Sequence, residues 1–384
     1  MNWLKKNSSC NLSSKKHTNF VILLFSMSLL AACDEHNESN NCDSTKFVDT
    51  GLQENLKVTL DTYLDANQDN NEPGLSIVIR KYGELVYRGN RGMANKLSAV
   101  AITNDTGFLL ASVSKPFTAV AVMQLYEQEL LTLDDKLISF IPELSNTWKD
   151  ITIHHLLSHQ SGIPDYINDD RDFQRINEWT NQDLIDFFTT NIDLEFTPGS
   201  QGDYSNTGYV LLAEIVARVS GESFGDYMQT HIFTPAGMIN SYITSEEVAL
   251  REDDALNFAD RDTYTNHGIK LYTYGGGGQV SSANDLSMFA QAMSNSKLLL
   301  EETYTLMRQT HSVLSIVGVE YHFGYGTFST PLGEKFSHGG RFDGFATLME
   351  IDTLSETEIF ILSNAGCAPR VNNIKRLTLE YFSK

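Results

Sequence analysis

The sequence predicts an α+β fold, in which segments from both ends of the chain form one antiparallel β-sheet flanked by helices, with an inserted, mostly helical domain. Two β-rich runs lie early, in GLSIVIRKYGELVYRGNRG, and strand-like runs return late, in EKFSHGG, GFATLMEID and TEIFILSN. Helical patterns dominate between them, from Ser114 to about Met238. Any functional cleft is then expected at the seam between the sheet and the helical region.

The individual elements follow in chain order. The folded domain is expected over residues 50–384, with its helical insertion at about 116–275. A first helix is expected across Leu52 to Leu64. The two early β-rich runs meet at the Gly83-Glu84 turn, which is typical of a hairpin. A closing helix fits Asn373 to Phe382.

The N-terminus is organised like an export signal. Residues 1–32 hold a basic leader and then VILLFSMSLLAA, an apolar run too short for a comfortable membrane span. The run leads into Cys33 as LAAC, which resembles a bacterial lipobox, so we expect Cys33 to carry lipid and residues 33–49 to form a flexible tether. The alternative is a buried or chance cysteine after a signal peptide.

A lipid anchor at Cys33 predicts a location on the periplasmic face of a bacterial membrane. Asp34, directly after that cysteine, favours the inner membrane in enteric-type bacteria. Cys42 and Cys367 can form a disulfide in an oxidising periplasm. Two cysteines so distant in sequence make no disulfide framework, so both the bridged and the free state stay open.

Composition and charge exclude one class of partner. The 384 residues are 41% hydrophobic and 20% charged, which is typical of a globular protein. Lys plus Arg number 28 against 49 Asp plus Glu, a formal net charge of -21. Such a field repels a phosphate backbone, so nucleic acid is not expected as a partner.

Three S-x-x-K pairs occur, and their context distinguishes them. Ser13 lies in the leader, and Ser294 follows polar, unpatterned residues. Ser112 starts a strongly apolar helix, on which Lys115 shares its face. Burial would depress the pKa of Lys115 and make it a usable base. The alternative is that Ser112 or Ser114 only caps the helix and that Lys115 extends to solvent.

Two further motifs follow in order. Tyr204-Ser205-Asn206 comes after the Pro198-Gly199 turn and opens an apolar helix, GYVLLAEIVARVSG. His338 begins HGG in SHGGRFDGFATLMEID, which leads into a strand, and its consecutive glycines would let a ligand approach the backbone. Each motif is weak by itself.

In the order S-V-S-K, Y-S-N and H-G-G, the chain resembles the serine β-lactamase and penicillin-binding protein family, in its class C and DD-peptidase branch. Connecting phrases carry the resemblance over about residues 50–384: TLDDKLISFIPEL, ITIHHLLSHQSGIPDY, FTPGSQGDYSNTGYVLLAEIV, FTPAGM, YGGGGQVSSANDL and HFGYG. Because many phrases agree in one order, the resemblance is far more specific than any single motif. It implies the β-lactamase/transpeptidase-like version of the predicted fold, and no cofactor or metal.

The resemblance implies catalytic roles for three residues. Ser112 would be the nucleophile that forms an acyl-enzyme, and Lys115 would hold or take its proton. Tyr204 would be the second acid/base. Since a phenol ordinarily has a pKa near ~10, the site must either stabilise phenolate or use Tyr204 to relay a proton between substrate and Lys115.

Substrate-binding roles are implied for four more positions. Asn206 would offer its side-chain amide to the acyl portion of the substrate, and His338 would hydrogen-bond Tyr204 or a substrate carboxylate. Gly340 belongs to the same motif. The backbone N–H groups of Ser112 and Arg341 would form the oxyanion hole, and the Arg341 side chain can also contact a carboxylate, although the motif does not determine its direction.

Two rival signatures carry little weight. Gly221-Glu222-Ser223-Phe224-Gly225 matches G-x-S-x-G, but a nucleophile elbow needs a preceding strand and here a helix precedes it, so Ser223 is interpreted as a helix N-cap. His155 and His159 are spaced like metal ligands on a helix, but no glutamate follows His155. We interpret both as packing or hydrogen-bonding histidines.

The predicted function is therefore acyl transfer by a serine hydrolase on amide, peptide or ester substrates. Histidine at 338, where class C β-lactamases usually carry lysine, resembles DD-carboxypeptidases, D-aminopeptidases and esterases. A class C-like β-lactamase and a catalytically silent protein that binds cell-wall peptide or β-lactam are the alternatives. If His338 must be charged, the rate should depend on pH around 6 to 7.

Overall fold

The computed structural model describes residues 50–96, 98–168, 179–189, 192–257, 272–316, 318–366 and 368–383. The predicted signal peptide, Cys33 and the tether lie outside the described residues, as do both cysteines of the possible Cys42–Cys367 bridge. These remain predictions. Within the described ranges, no helix has the length and apolar character needed to cross a membrane.

Strands lie at both ends of the domain and in its middle. In chain order they are β1 Leu75–Lys81, β2 Glu84–Arg91, β3 Met93–Asn95, β4 Val100–Ala101, β5 Phe108–Leu109, β6 Tyr242–Ile243, β7 Gln279–Ser281, β8 Ser312–Ile316, β9 Val319–Phe323, β10 Lys335–Phe342, β11 Phe345–Asp352 and β12 Thr357–Ser363.

Helices fill the space between the early and late strands. They are α1 Thr50–Asn67, α2 Ser114–Glu127, α3 Leu137–Phe140, α4 Ile153–Leu157, α5 Asn181–Phe188, α6 Asn206–Ser220, α7 Phe224–Met228, α8 Thr234–Ala236, α9 Ala283–Ser294, α10 Glu301–Arg308 and α11 Ala368–Phe382. Short 3₁₀ turns lie at Ala111–Val113, Asn146–Trp148 and Tyr166–Asn168.

The main sheet has five antiparallel strands in the order β10-β11-β12-β1-β2. Because β1 pairs with β12, the first and last parts of the domain meet in the middle of the sheet. The predicted antiparallel sheet built from the two chain ends is therefore confirmed. The hairpin turn lies at Tyr82-Gly83, one residue earlier than predicted, since Glu84 already belongs to β2.

The two faces of this sheet pack against different helices. Ile77 and Ile79 in β1 join a core with Leu56, Leu60 and Leu64 of α1, whose spacing of four places them on one helical stripe. Successive strand residues point to opposite faces. Both predicted terminal helices are present, and each begins before its predicted first residue.

The other face of the sheet covers the large core that holds the helical region. Val78 of β1 and Phe360 of β12 belong to this core. Helix α2 lies inside it, and every residue from Ser114 to Leu125 is buried. The middle of the chain is not purely helical, however, because β5, β7 and β6 form a small sheet beside α2. Strands of two or three residues have too little alternation to be recognised from sequence.

Candidate active site

The hydroxyl of Ser112 stands at the entrance of α2 and is not a helix cap. Ser112 lies in the 3₁₀ turn Ala111–Val113, which continues directly into the helix, and the cap residue Val113 has no side-chain oxygen. The Ser114 hydroxyl instead donates to the Ala111 carbonyl at 2.7 Å. Ala111 has φ of 50°, a left-handed conformation that costs on the order of 1 kcal/mol for alanine. The capping interpretation is therefore wrong for both serines.

Lys115 is fully buried, with 0% of its surface exposed, so the solvent-directed interpretation is also wrong. Its Nζ lies 3.2 Å from the Ser112 Oγ, 2.7 Å from the Asn206 Oδ1 and 2.8 Å from the Gly276 carbonyl oxygen. Burial lowers the pKa of Lys115 to about 7, while the Asp165 carboxylate opposes that shift. Near neutral pH a large fraction of this lysine is consequently an uncharged amine.

The partners of Lys115 determine which way its lone pair faces. A neutral amine has two N–H donors and one lone pair. The amide oxygen of Asn206 and the carbonyl of Gly276 can only accept, so they take both N–H groups. The lone pair is left facing the Ser112 hydroxyl, where it can accept the proton that a nucleophilic serine must lose.

Asn206 is held at both ends of its side chain. Its Oδ1 accepts from Lys115, and its Nδ2 donates to the Asp165 Oδ2 at 2.8 Å. Asp165 retains partial exposure as a residue, but its carboxylate is enclosed. Burial raises the pKa of Asp165 to about 6, and hydrogen bonds from Asn206 and the Ile167 N–H oppose that rise.

The Tyr204 ring lies beside the lysine, with its centroid 4.9 Å from the Lys115 Nζ. Its hydroxyl is buried and faces the Ser112 hydroxyl, but the two do not form a well-aligned hydrogen bond, and no other described residue bonds it. Burial raises the pKa of Tyr204 well above its usual value, and the nearby Ser112 hydroxyl only partly offsets this. Of the two predicted roles, the neutral phenol that relays a proton is favoured over a stabilised phenolate.

His338 is buried at 2% exposure, and its Nδ1 lies 2.7 Å from the Gly339 carbonyl oxygen. Because that carbonyl can only accept, Nδ1 carries the proton and Nε2 is an acceptor. The His338 and Tyr204 ring centroids are 6.1 Å apart. Burial and the nearby Lys115 lower the pKa of His338 to about 3. This shift speaks against a charged His338 as the cause of a rate change around pH 6 to 7, and the pH profile of the rate is the test of that hypothesis.

The backbone of β10 passes directly beside Ser112. A Cβ built on Gly340 would come within 2.2 Å of the Leu110 oxygen and 3.2 Å of the Ser112 nitrogen. A Cβ on Gly339 would come no closer than 3.8 Å to any neighbour. Gly340 is thus required for close packing of β10 on the nucleophile turn, and the predicted approach of a ligand to the consecutive glycines stays a prediction.

The register of β10 leaves the Arg341 amide unpaired with β11. Phe342 and Phe345 flank a two-residue turn and form a hydrogen-bonded pair, so the next pair, Arg341 and Ala346, is not hydrogen-bonded. The Arg341 N–H therefore points to the free edge of β10. Ser337 lies four residues before Arg341, so its backbone N–H and C=O face the same edge as those of Arg341. There Ser337 exchanges hydrogen bonds with Phe328. The geometry is compatible with an oxyanion hole made by the Ser112 and Arg341 amides.

The side chain of Arg341 leaves the sheet on the other face. His338 and Gly340 pair with Met349 and Thr347 on the face of the helical core, and Thr347 Oγ1 donates to the Leu110 oxygen. Arg341 pairs with Ala346, which belongs to the core under α1 and α11. The Arg341 guanidinium is therefore directed away from Ser112, a direction the motif had left open.

The rival signatures have structural explanations. Ser223 accepts from the Asp226 N–H as the N-cap of α7, after helix α6, so the N-cap interpretation is confirmed. His155 Nδ1 accepts from the Thr152 N–H and His159 Nδ1 from the Ser205 N–H. Both are hydrogen-bonding histidines, as predicted. His159 lies beyond the end of α4, so the two do not share a helical face.

The S-x-x-K, Y-x-N and H-G-G residues therefore meet between the sheet and the helical region, and this arrangement defines a serine β-lactamase or penicillin-binding-protein type of protein. A model of the Beta-lactamase family matches residues 59–379. The chain belongs to that family, which confirms the resemblance drawn from the motifs.

Individual relatives agree with this assignment. Penicillin-binding protein 4* of Bacillus subtilis (strain 168) is 29% identical over 321 residues, which cover 78% of this chain and 69% of that protein. Esterase EstB of Burkholderia gladioli is 30% identical over 207 residues, 50% of this chain and 53% of the esterase. The crystal structure of a penicillin-binding protein from Bacillus halodurans superposes with a TM-score of 0.72 at 26% identity, covering 83% of this chain and 98% of that one. At the family level the chain is placed among serine hydrolases.

Three site residues were missed by the sequence reasoning: Asp165, His159 and Gly276. Each lies in a phrase that carried the resemblance, namely GIPDY, HHLLSHQSG and YGGGG. Their contacts with Asn206, Tyr204 and Lys115 join segments far apart in the chain. Their membership in these phrases was the available signal, but the phrases alone do not show which residues they contact.

Proposed function

We propose that the protein is a serine hydrolase that forms an acyl-enzyme on Ser112, with esters and amides as its substrates. The observation that carries this proposal is the position of the buried Lys115 Nζ, 3.2 Å from the Ser112 Oγ and within hydrogen-bond distance of two acceptors that can take the hydrogens of the neutral amine. An esterase and a penicillin-binding protein among the relatives support the same reaction type.

The proposed reaction has two stages. Ser112 Oγ attacks the substrate carbonyl carbon while its proton moves to the Lys115 Nζ, and the Ser112 and Arg341 amides receive the developing oxyanion. The leaving alcohol or amine departs with a proton passed from Lys115 through the Tyr204 hydroxyl. Water then attacks the acyl carbon and gives a proton to Lys115. The bond between the acyl carbon and the Ser112 Oγ breaks as Lys115 passes that proton to Oγ, which releases the acid and regenerates the Ser112 hydroxyl.

The electrostatics of the site favour substrates that lack a carboxylate next to the scissile bond. His338 stays neutral at physiological pH, and the Arg341 side chain is directed to the opposite face of the sheet. Within the described ranges, Lys115 is then the cationic group nearest to Ser112, and it is itself only partly charged. Uncharged esters and amides therefore fit better than β-lactams or peptides with a terminal carboxylate.

We also propose that the mature domain is held at the periplasmic face of a bacterial membrane by lipid on Cys33. This proposal rests on the LAAC sequence after a short apolar run and on the polar residues that follow it. The membrane would be a partner through the anchor alone, with the active site on the tethered domain.

Active-site labelling tests the proposed reaction. A fluorophosphonate probe and a fluorescent penicillin are applied to the wild type, Ser112→Ala and Ser223→Ala. We expect fluorophosphonate to label the wild type and Ser223→Ala but not Ser112→Ala. Ser223→Ala is the matched control because it removes the serine of the rival motif, at a cost of about 1 kcal/mol for a lost N-cap.

The other outcomes have distinct meanings. A wild type that takes up neither probe contradicts the enzymatic proposal and supports a silent binding protein. Penicillin labelling that persists for hours indicates a peptidase, and rapid nitrocefin hydrolysis indicates a β-lactamase. Either of these results would contradict the proposed preference for uncharged esters and amides.

A further inference from the structure

The Asp165 carboxylate is the outer end of a buried chain of hydrogen bonds that reaches the base. Asp165 Oδ2 accepts from Asn206 Nδ2 at 2.8 Å, and Asn206 Oδ1 accepts from Lys115 Nζ at 2.7 Å. We infer that Asp165 is a positioning residue that sets the protonation state of Lys115 through Asn206. This inference rests on the proposed function, in which neutral Lys115 is the base.

Asp165 and Lys115 together determine the orientation of Asn206. An ammonium or amine N–H needs an acceptor, and a carboxylate needs a donor. Oδ1 of Asn206 must then face Lys115, and Nδ2 must face Asp165. A neutral apolar residue at 165 would remove the group that selects this orientation.

The loop that carries Asp165 is attached to the same helix as Asn206. Thr207 Oγ1 donates to the Pro164 carbonyl at 2.8 Å and accepts from the Tyr166 N–H at 3.0 Å. These bonds hold residues 164 to 166 against the first turn of α6. The Asp165–Asn206 contact is thus fixed by backbone anchors on both sides of the carboxylate.

Among the residues that the structure describes, Asp165 is the acidic group that acts on Lys115. Tyr204 and Tyr209 present their rings to Nζ at 4.9 and 5.6 Å, and burial keeps both phenols neutral. Burial also lowers the pKa of the nearby His159 and His338, which leaves both imidazoles uncharged near neutral pH. The charge on Asp165 opposes the effect of burial on Lys115.

A charge-removing substitution separates this role from a purely structural one. Asp165→Asn keeps an acceptor for Asn206 Nδ2 but removes the negative charge. Lys115 should then lose its proton more readily, because nothing offsets its burial. The acid limb of the pH profile of kcat/KM, which is the fall in kcat/KM at low pH, should then shift to lower pH by roughly one unit. Asp165→Glu keeps the charge and should hold the limb near its wild-type position even if the rate falls.

The experiment measures kcat/KM from pH 5 to 9 with a p-nitrophenyl ester for the wild type, Asp165→Asn, Asp165→Glu and Tyr166→Phe. Tyr166→Phe is the matched control, because Tyr166 lies next to Asp165 on the same loop. This substitution removes a buried hydroxyl, which contacts Thr273, without changing the charge. Its limb should stay in place. Thermal unfolding reports folding, and Asp165→Ser replaces Asp165→Asn if the latter does not fold.

An unshifted limb in Asp165→Asn, or equal shifts in Asp165→Asn and Tyr166→Phe, would overturn the inference. A lower rate at all pH values without a shift would do the same, since it indicates a structural role. Failure of the proposed function is distinguishable, because the wild type would then show no ester turnover. In that case the pKa of Lys115 is measured directly by NMR of 13Cε-labelled lysine, with Lys115→Arg as the assignment control. This pKa is then compared among the wild type and the same three variants.

Discussion

The imidazole of His159 packs against the ring of Tyr204, with the two centroids 4.4 Å apart and the planes tilted by 37°, and its Nδ1 accepts a hydrogen bond from the Ser205 N–H at 3.2 Å. His159 is fully enclosed, and burial holds its pKa well below the usual value. The neutral imidazole of His159 therefore packs against the Tyr204 ring and, through its bond to the Ser205 N–H, fixes the backbone between Tyr204 and Asn206. His159 is thus placed to position Tyr204 for the proposed acid/base role.

Substitution of His159 should consequently affect turnover more than folding of the whole domain. We expect His159→Ala to lower kcat by roughly tenfold to a hundredfold, because misplacement of Tyr204 by about an ångström disturbs the proton relay. His155→Ala is the control, since that ring bonds its own helix start rather than the site. Equal kinetics for His159→Ala and the wild type would contradict the positioning role.

The two glycines after His338 should differ in their tolerance of a methyl group. Gly340→Ala should reduce kcat/KM by roughly a hundredfold or more, because its Cβ would displace the Leu110 to Ser112 turn. Gly339→Ala should leave activity near the wild-type level, since its Cβ meets open space. Steady-state kinetics and thermal unfolding of the pair provide the test, and equal losses in both variants would refute the packing argument.

The pH dependence of kcat/KM should follow Lys115 rather than His338. Because neutral Lys115 is the base and its pKa is about 7, activity should fall about tenfold per pH unit below that value. His338→Gln should leave the position of this limb unchanged, since the wild-type imidazole is already neutral there. A limb that moves or disappears in His338→Gln would restore the charged-histidine hypothesis.

Arg341 should matter through its amide and not through its side chain. Arg341→Ala should change kcat/KM by no more than about twofold, even for substrates with a carboxylate, since the guanidinium is on the far face. Arg341→Pro removes the N–H on a free strand edge, where proline is tolerated. It should cost about 3 to 4 kcal/mol of transition-state stabilisation. A large loss in Arg341→Ala would contradict this division of roles.

The anchor prediction can be tested on the full chain expressed in a bacterial host. We expect wild-type protein to partition into the detergent phase of Triton X-114 and Cys33→Ser to remain in the aqueous phase. Cys42→Ser should partition like the wild type, because that cysteine lies beyond the lipobox. Detergent partitioning of Cys33→Ser would argue against lipid at this position.

The sequence was informative where function depends on local spacing. Ser112 and Lys115 are three residues apart, so their contact follows from helical geometry alone. Strand alternation would also have shown that Arg341 points away from His338. Asp165 and Gly276 were out of reach, because their contacts with Asn206 and Lys115 depend on where loops run in three dimensions.

The sheet order has a consequence for biosynthesis. Strand β10 packs on the nucleophile turn, and within the main sheet it is connected to the early strand β1 through β11 and β12, which are among the last segments of the chain to be synthesised. A chain still emerging from the ribosome holds Ser112 and Lys115 but lacks strand β10, which carries the Arg341 amide. If that amide forms part of the proposed oxyanion hole, Ser112 should become reactive only after the last segments of the chain have joined the sheet.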